Sequence, residues 1–415
     1  MATKILISLA LAFMFLACSS PQKPEAISPN LKHIIFIPGY YGTRLVKQTN
    51  GGPEVVWINV SQTLWGGMTL AMHGLGVPGA SELTPTTVLD RVSVIPLLYS
   101  MNFYGDIIDT LRDHFKNTAQ VHTLPYDWRR DYFSAVQLLD KKIKNLQSKG
   151  VKKISIVAHS MGGLVTSYYL RYGNQRPELA EENWQGAKNI EKVIIANTPF
   201  KGSMLMFSNM KWGDVFAGNT TLTSAEALST FASSYELLPY YKGAILNDDL
   251  NPAKIDLFDP KNWESNNWGL YKKRRKGSPG LIKKRSQWTN RALKKAKEVF
   301  IKILQSQKTK AKLKTQLLYF YGYGQKGTYN KAVFLSKENG GPDLLFKKDE
   351  FKKRFPDNSW SLLLADGDGS VTTESAQMPS AYKEALDYQE VKYKGNHTKA
   401  YDNKDVIKRV LRFLE

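Results

Sequence analysis

Cysteine is almost absent from this 415-residue chain, which contains only Cys18. A single cysteine cannot form an intrachain disulfide, so the fold must be stabilised by its core. Histidine is also scarce, with six in total, which leaves few candidates for proton-transfer chemistry. The hydrophobic fraction of 42% and the aromatic fraction of 12% are ample for a large core, and they exclude a globally disordered chain.

The apolar segment near the start of the sequence is short. It covers residues 5–17 after Lys4, whereas a membrane-spanning helix needs about 20 apolar residues. A basic residue followed by a short apolar run is typical of a secretion signal, so we expect residues 1–17 to be a signal peptide. The small Ala17 followed by Cys18 resembles the processing site of bacterial lipoproteins, where the cysteine is lipidated. An ordinary signal peptide that contains a chance cysteine is the alternative.

This resemblance implies a location and an anchor. Residues 18–30, which include three prolines, are expected to form a lipidated tether at the N-terminus. The protein would then be a membrane-anchored lipoprotein of the bacterial cell envelope, facing the periplasm or the cell surface.

Acidic residues are outnumbered by basic ones, at 37 against 58, which gives a formal net charge of +21. Most of the excess lies between Lys272 and Lys314, where 17 basic residues accompany one acid, Glu298. We expect this stretch to contact an anionic membrane surface, with a solvated cap helix as the alternative. Binding to nucleic acid is not expected, because no recognition motif is present.

Apolar runs and amphipathic segments alternate along the chain. Buried strands are predicted at 31–37, 154–158, 193–196 and 317–321, and helices at 104–115, 136–146, 164–172 and 406–414. This alternation predicts an α/β fold with a mainly parallel sheet covered by helices on both faces. Residues 31–203 and 315–415 would form this core, interrupted by a first insertion at 44–97 and by a basic cap at 204–314, in which residues 288–305 are amphipathic.

The sharpest motif is a serine between an apolar run and a predicted helix. Ala158, Ser160 and Gly162 match the nucleophile elbow of the α/β-hydrolase fold, with alanine in place of the usual first glycine. Small residues are needed two positions from Ser160 because the backbone doubles back there. The turn also directs the amide of Met161 towards a developing oxyanion. A chance Ser-Gly turn is the alternative.

The α/β-hydrolase order requires an acid and then a histidine downstream. Asp366 and Asp368 lie in an acidic turn after an apolar segment, and His397 precedes the last helix. Either aspartate could reach His397 on spacing alone. The turn is not an EF-hand, because the twelfth position from Asp366 is Gln377 instead of glutamate.

A second oxyanion donor is expected in the loop after the first strand. Its glycines, Gly39 and Gly42, allow a close approach of the backbone, and the amide of Tyr40 is the candidate donor. A plain glycine turn is the alternative. No metal or other cofactor is expected.

Five segments in this order resemble the lecithin:cholesterol acyltransferase family, which includes lysosomal phospholipase A2 and phospholipid:diacylglycerol acyltransferases. Pro-Tyr-Asp-Trp-Arg is the most specific of them, because a generic hydrolase has no reason to contain it. The segments are residues 37–42, 125–129, 158–163, 197–203, and 366–371 together with His397.

The resemblance implies an α/β-hydrolase fold and a triad of Ser160, Asp368 and His397, with oxyanion donors at Tyr40 and Met161. It implies a monomeric lipid esterase, either a phospholipase or an O-acyltransferase, that acts on a lipid ester such as a phospholipid. The family's disulfide-held lid has no cysteine here, so the interface element is expected around two tryptophans, Trp57 and Trp65. The alternative function is a surface-tethered protein that binds anionic lipid or envelope polymer on an inactive hydrolase scaffold.

Overall fold

The structure is a computed structural model that describes residues 26–58, 69–72, 74–77, 79, 82–95, 99–216, 219–273, 277–336, 343–355 and 358–415. The strands are β1 (Lys32–Ile37), β2 (Thr43–Thr49), β3 (Gly52–Trp57), β4 (Leu83–Val88), β5 (Arg91–Ile95), β6 (Tyr99–Asn102), β7 (Ala119–Thr123), β8 (Ile154–His159), β9 (Lys192–Ala196), β10 (Asp214–Phe216), β11 (Asn219–Thr223), β12 (Ile245–Leu246), β13 (Gln316–Tyr323), β14 (Thr328–Tyr329), β15 (Ala332–Leu335), β16 (Asp343–Leu345), β17 (Leu364–Ala365) and β18 (Asp387–Lys394).

The helices alternate with the longer strands. They are α1 (Gly105–His114), α2 (Tyr132–Ser148), α3 (Met161–Tyr172), α4 (Gln185–Lys188), α5 (Met204–Trp212), α6 (Ala225–Leu228), α7 (Ala232–Glu236), α8 (Pro260–Ser265), α9 (Pro279–Leu304), α10 (Lys348–Arg354), α11 (Ser380–Ala385) and α12 (Lys404–Leu414). None of the helices in the described part of the chain combines the length and the hydropathy that crossing a membrane requires.

The central sheet has the order β18-β13-β9-β8-β1-β7, and every neighbouring pair is parallel. Along β1, Ile35 and Ile37 belong to one buried cluster with α2 and α3. Ile34 and Phe36 belong to another with α1 and α12. Helices therefore cover both faces, which explains why the central strands are apolar at nearly every position. The predicted α/β-hydrolase fold with a mainly parallel sheet is confirmed.

Two strands of this sheet were not predicted from the sequence. β7 and β18 lie at the two edges, and β18 (Asp-Tyr-Gln-Glu-Val-Lys-Tyr-Lys) is largely exposed or half-buried. Edge strands face solvent along one side and commonly contain charged residues. They therefore lack the continuous apolar run that identified the inner strands.

The first insertion contains more regular structure than its composition indicated. β2, β3 and β4 form a small antiparallel sheet in the order β3-β2-β4. Three tyrosine and tryptophan rings meet beneath it, since Trp57 lies 4.9 Å from Tyr41 and 5.5 Å from Trp128 between ring centroids. The insertion is therefore packed onto the loop that follows β1.

The second insertion lies between β9 and β13 and ends in the long helix α9. Ser278 caps this helix by accepting a hydrogen bond from the amide of Leu281, and Pro279 occupies its first turn. The helix begins at Pro279 instead of residue 288. Its predicted apolar face is confirmed, because the following residues are buried: Ala292, Ala296, Val299, Phe300 and Ile303.

Candidate active site

Ser160 occupies the sharp turn between β8 and α3. Its backbone has φ 52° and ψ −122°, which is unusual for a residue with a side chain. The turn is held by the Ser160 amide, which donates to the carbonyl of Ala196 at 2.8 Å. A Cβ at Gly162 would lie 2.5 Å from the carbonyl oxygen of Ile37, so only glycine fits there. The elbow geometry expected from the sequence is therefore present.

His397 and Asp368 reach Ser160 from two separate loops. His397 Nε2 lies 2.8 Å from Ser160 Oγ, and His397 Nδ1 lies 2.8 Å from Asp368 Oδ2. The loops are also joined by their backbones, since the His397 amide donates to the carbonyl of Asp368 at 2.8 Å. The three side chains form one continuous row of hydrogen bonds.

The geometry separates the two aspartates that spacing left open. The other carboxylate oxygen of Asp368 accepts hydrogen bonds from the amides of Ser370 at 3.0 Å and Val371 at 2.7 Å, and the residue is 2% exposed. Asp366 instead accepts from the amide of Gly324 at 2.7 Å. Only Asp368 is thus placed against His397, as the family resemblance implied.

The amides of Tyr40 and Met161 remain available at this site. Neither donates to a protein acceptor within the described ranges. The loop that contains Tyr40 is pressed against the serine, because a Cβ at Gly39 would lie 2.8 Å from Ser160 Cβ. Two free amides beside a serine match the requirements of an oxyanion hole.

A second histidine, which sequence reasoning did not select, supports the first. His159 is buried, and its two ring nitrogens lie 2.8 Å from the hydroxyl of Tyr104 and 2.9 Å from the carbonyl of His397. That carbonyl can only accept, so His159 Nε2 donates to it and Nδ1 accepts from Tyr104. Burial, with a smaller effect from the neighbouring His397, lowers the pKa of His159 to about 3. His159 is therefore neutral, and its hydrogen bond fixes the backbone of His397.

Asn197 completes this support. It has a positive φ of 53°, and its side-chain amide donates to the carbonyl of His397 at 2.9 Å and to the hydroxyl of Tyr393 at 2.6 Å. The next residue, Thr198, donates its hydroxyl to the carbonyl of Ser160 at 2.9 Å. The segment at 197–203 thus positions both the histidine and the serine.

The Pro-Tyr-Asp-Trp-Arg segment also has a structural role here. The hydroxyl of Tyr126 donates to the carbonyl of Pro38 at 2.7 Å, and the indole of Trp128 donates to the carbonyl of Thr43 at 3.1 Å. Asp127 and Arg129 form a buried ion pair at 2.8 Å. The segment therefore fixes the two ends of the loop that presents Tyr40, and its ion pair stabilises the segment itself.

A cavity of about 390 Å³ opens beside Ser160 and His397. Its wall combines apolar side chains, which include Leu205, Met206, Leu237 and Val371, with the rings of Tyr40 and Tyr41. Within the described ranges, no cluster of histidine, cysteine, aspartate or glutamate has the arrangement of a metal site. The site can accommodate an apolar acyl chain next to a hydroxyl nucleophile.

The structure corrects the expectation that Trp57 lies at a lipid interface. Trp57 has no exposed surface, and its indole donates to the carbonyl of Tyr41 at 2.8 Å. It stabilises the loop beside the active site because its ring packs into the aromatic cluster beneath β2. Trp65 and Cys18 lie outside the described residues.

The basic stretch between Lys272 and Lys314 is not uniformly a surface. Arg285 is 4% exposed and donates to the carbonyls of Leu75 at 2.8 Å and Gly76 at 3.3 Å. Lys295 pairs with Asp131 at 2.7 Å. Lys283 and Lys284 are exposed, while residues 274–276 lie outside the described ranges. The expectation of membrane contact is thus wrong for Arg285 in this structure.

One solved structure agrees with this architecture. The solved complex of Tle4 with Tli4 matches 93% of this chain and 98% of that chain with a TM-score of 0.54 at 13% identity. The mature lipase BlEst2 of Bacillus licheniformis aligns with 94% of this chain and 96% of its own at a TM-score of 0.37 and 14% identity. The fold and the row of serine, histidine and aspartate place the protein among the α/β hydrolases.

Sequence comparison then identifies the family. The family profile described as lecithin:cholesterol acyltransferase matches residues 97–313, more than half of the chain. The protein therefore belongs to the lecithin:cholesterol acyltransferase family, as its motifs indicated. The matched range includes Ser160, but Asp368 and His397 lie beyond it.

A curated plant protein is also similar. Lecithin-cholesterol acyltransferase-like 4 of Arabidopsis thaliana is 25% identical over 211 residues, which cover 44% of this chain. The chain spans only 36% of the length of that relative.

Proposed function

We propose that this protein is a serine esterase of lipid metabolism, a phospholipase or O-acyltransferase that forms an acyl-Ser160 intermediate. The observation that carries the proposal is the hydrogen-bonded row in which Ser160 Oγ and His397 Nε2 are 2.8 Å apart, with Asp368 behind them. This row opens into a largely apolar cavity in a member of the lecithin:cholesterol acyltransferase family.

The proposed reaction follows from these positions. Ser160 Oγ attacks the carbonyl carbon of the ester while His397 Nε2 accepts the serine proton, and the protonated imidazole then gives that proton to the departing alcohol. Asp368 holds the Nδ1–H tautomer of His397. The amides of Tyr40 and Met161 stabilise the oxyanion. Water or a second alcohol, deprotonated by the same imidazole, then releases the acyl group.

Exposed apolar residues near the cavity support a lipid as the substrate. Trp212 is 42% exposed and Val215 is 59% exposed, and both flank Asp214 in the cavity wall. The ring of Trp212 lies 4.6 Å from Lys211 Nζ and 4.1 Å from Lys347 Nζ. An aromatic ring beside two ammonium groups, of which that of Lys211 is also paired with Asp343, suits the boundary of an anionic membrane.

The experiment that tests this surface as the lipid contact compares two substrates. Trp212→Ala should lower activity on anionic phospholipid vesicles about tenfold, and it should lower activity on a short soluble ester much less. Ile301→Ala, at another exposed apolar residue, is the control and should affect both equally. An equal loss on the two substrates for Trp212→Ala would rule out this surface as the lipid contact.

The function itself is tested with defined lipids. Purified mature protein is incubated with mixed phospholipids, with and without added alcohol acceptors, and the products are identified by mass. Lysophospholipid and free fatty acid would indicate a hydrolase, and new esters of the added alcohol a transferase. Products that form equally with Ser160→Ala would contradict the proposal.

The alternative of a binding protein on an inactive scaffold makes a different prediction. An alkyl fluorophosphonate would then fail to label Ser160, because labelling requires an activated serine. Stoichiometric labelling that disappears in His397→Ala favours the enzyme.

We also propose that the protein is tethered to the membrane of a bacterial envelope through lipidated Cys18. Cys18→Ser should move the protein from the membrane fraction to a soluble or unprocessed form, because membrane affinity grows by about 0.8 kcal/mol per buried methylene of a lipid chain. Membrane association that survives both this substitution and high salt would exclude the lipid anchor.

A further inference from the structure

A carboxylate lies in the wall of the active-site cavity, and the proposed mechanism gives it no role. Asp214 begins β10, and its carbonyl accepts a hydrogen bond from the hydroxyl of Thr223 on β11 at 2.7 Å. Ser160, His397 and Asp214 line the same cavity. Among the described residues of that wall, Asp214 is the only one with a carboxylic side chain.

Among the described residues, this carboxylate has no cationic partner. Its Oδ2 accepts a hydrogen bond from the hydroxyl of Tyr41 at 3.0 Å, and no ion pair joins it to a lysine, arginine or histidine of the described chain. The lysine in the same wall, Lys399, is paired with Asp402 at 2.7 Å. Burial raises the pKa of Asp214 above its usual range, and the Tyr41 hydroxyl offsets only part of that effect. Within the described part of the chain, a positive charge is the group that this position lacks.

The carboxylate also shares the cavity wall with the tyrosines beside the reacting serine. Tyr41 adjoins Tyr40, whose amide is the candidate oxyanion donor, and the two tyrosine rings are 4.4 Å apart between centroids. A negative charge here disfavours the oxyanion that develops during acyl transfer. A cation bound at Asp214 would remove this penalty, and aromatic rings beside a carboxylate favour such a cation further.

We propose that Asp214 and the ring of Tyr41 form a subsite for the ammonium group of a substrate, such as a trimethylammonium or a primary ammonium on the alcohol side of the ester. The proposal rests on the esterase function given above. The ammonium could belong to a lipid headgroup or to a small amino alcohol, since both present the same charge to the cavity.

The test uses pairs of substrates in which one member has an ammonium group and the other does not. Choline butyrate is compared with 3,3-dimethylbutyl butyrate, in which a carbon replaces the nitrogen. Soluble short-chain phosphatidylcholine is compared with the corresponding phosphatidylglycerol. The wild-type kcat/KM should favour the member with the ammonium group in at least one pair by about tenfold, as expected for a cation near a carboxylate and aromatic rings. A preference in the ester pair identifies a small amino alcohol, and one confined to the lipid pair identifies a headgroup.

The ratio within each pair is also measured for Asp214→Asn and for Glu374→Gln. Glu374 is exposed and lies outside the cavity wall, so Glu374→Gln matches the loss of charge and should keep the wild-type ratio. The ratio should fall to about one in Asp214→Asn. Equal rates within both pairs for the wild type would overturn the proposal even if Asp214→Asn does not fold, and so would a ratio that Asp214→Asn leaves unchanged.

Neutral esters keep the two hypotheses separate. Turnover of 3,3-dimethylbutyl butyrate without any preference for charge would refute the subsite and leave the esterase intact. If the wild type hydrolysed none of the four substrates and phosphonate did not label Ser160, both proposals would be rejected.

Discussion

The loops that contain Ser160, Asp368 and His397, here called the triad loops, and the cap use charged residues in different ways. In the triad loops, His397 lies 237 positions beyond Ser160, yet it meets Ser160 and Asp368 with hydrogen bonds of 2.8 Å. In the cap, Lys284 and Arg285 are adjacent, yet one is exposed and the other is buried against two carbonyls. The role of a charged residue in a triad loop can be assigned from its motif. The role of a charged residue on the cap helix depends on which residues pack against it.

The largest effect is expected in the triad loops. Ser160→Ala should fold normally and lower kcat on a soluble ester by about 10⁶, because removal of the nucleophile eliminates the acyl intermediate. The control is Ser203→Ala, at a second serine in the cavity wall, which should have a far smaller effect. Ser160→Ala activity within tenfold of the wild type would show that another residue is the nucleophile.

The two aspartates of the acidic turn should differ almost as clearly. Asp368→Asn should lower kcat by about 10⁴, since the amide favours the wrong tautomer of His397. Asp366→Asn changes the same turn but keeps a side-chain oxygen that can accept from the Gly324 amide, so it should cost much less. Steady-state kinetics of both variants on one soluble ester provide the measurement. The reverse order would transfer the role to Asp366.

Substitutions of charged residues in the cap should change the stability of the protein instead of its catalytic rate. Arg285→Gln should lower the free energy of unfolding by about 2 kcal/mol, because it leaves the buried carbonyl of Leu75 without its donor. Lys284→Gln should change it by less than about 0.5 kcal/mol, as expected for an exposed lysine. Urea unfolding of the two variants measures both. Equal effects would mean that adjacent cap charges are interchangeable.

The smallest effect is the pH dependence of stability that comes from His159, beside the triad loops. The pKa of His159 is about 3 in the folded protein against an ordinary 6.5, so below pH 6.5 the unfolded state binds a proton that the folded state does not. Stability is therefore lost as the pH falls from about 6.5 towards 3, at up to about 1.4 kcal/mol per pH unit.

Thermal unfolding at pH 7 and pH 5 tests this linkage. The loss between these values should be about 1–2 kcal/mol smaller in His159→Gln than in the wild type. His122, whose pKa burial lowers to about 4, should retain part of the acid sensitivity. Parallel losses in the wild type and His159→Gln would refute the assignment of a neutral, buried His159.

Much of the candidate site could be predicted because its residues occur in short motifs. Ser160 was identified from the small residues around it, and His397 from its place before the last helix. The supporting residues were not predicted. His159 and Asn197 both act on the carbonyl of His397, more than 190 positions away, and a backbone acceptor leaves no sign in the sequence.

The sequence by itself determined the inner strands, the elbow at Ser160 and the apolar face of α9, because each follows from local periodicity or from steric limits within a few residues. Spacing left Asp366 and Asp368 open, and only the family resemblance favoured Asp368; the tertiary structure separated them, since Asp368 faces His397 while Asp366 accepts from the Gly324 amide. It also decided that Trp57 is buried and that Asp214 faces the cavity. Burial is a property of what packs against a residue, and those partners come from distant parts of the chain.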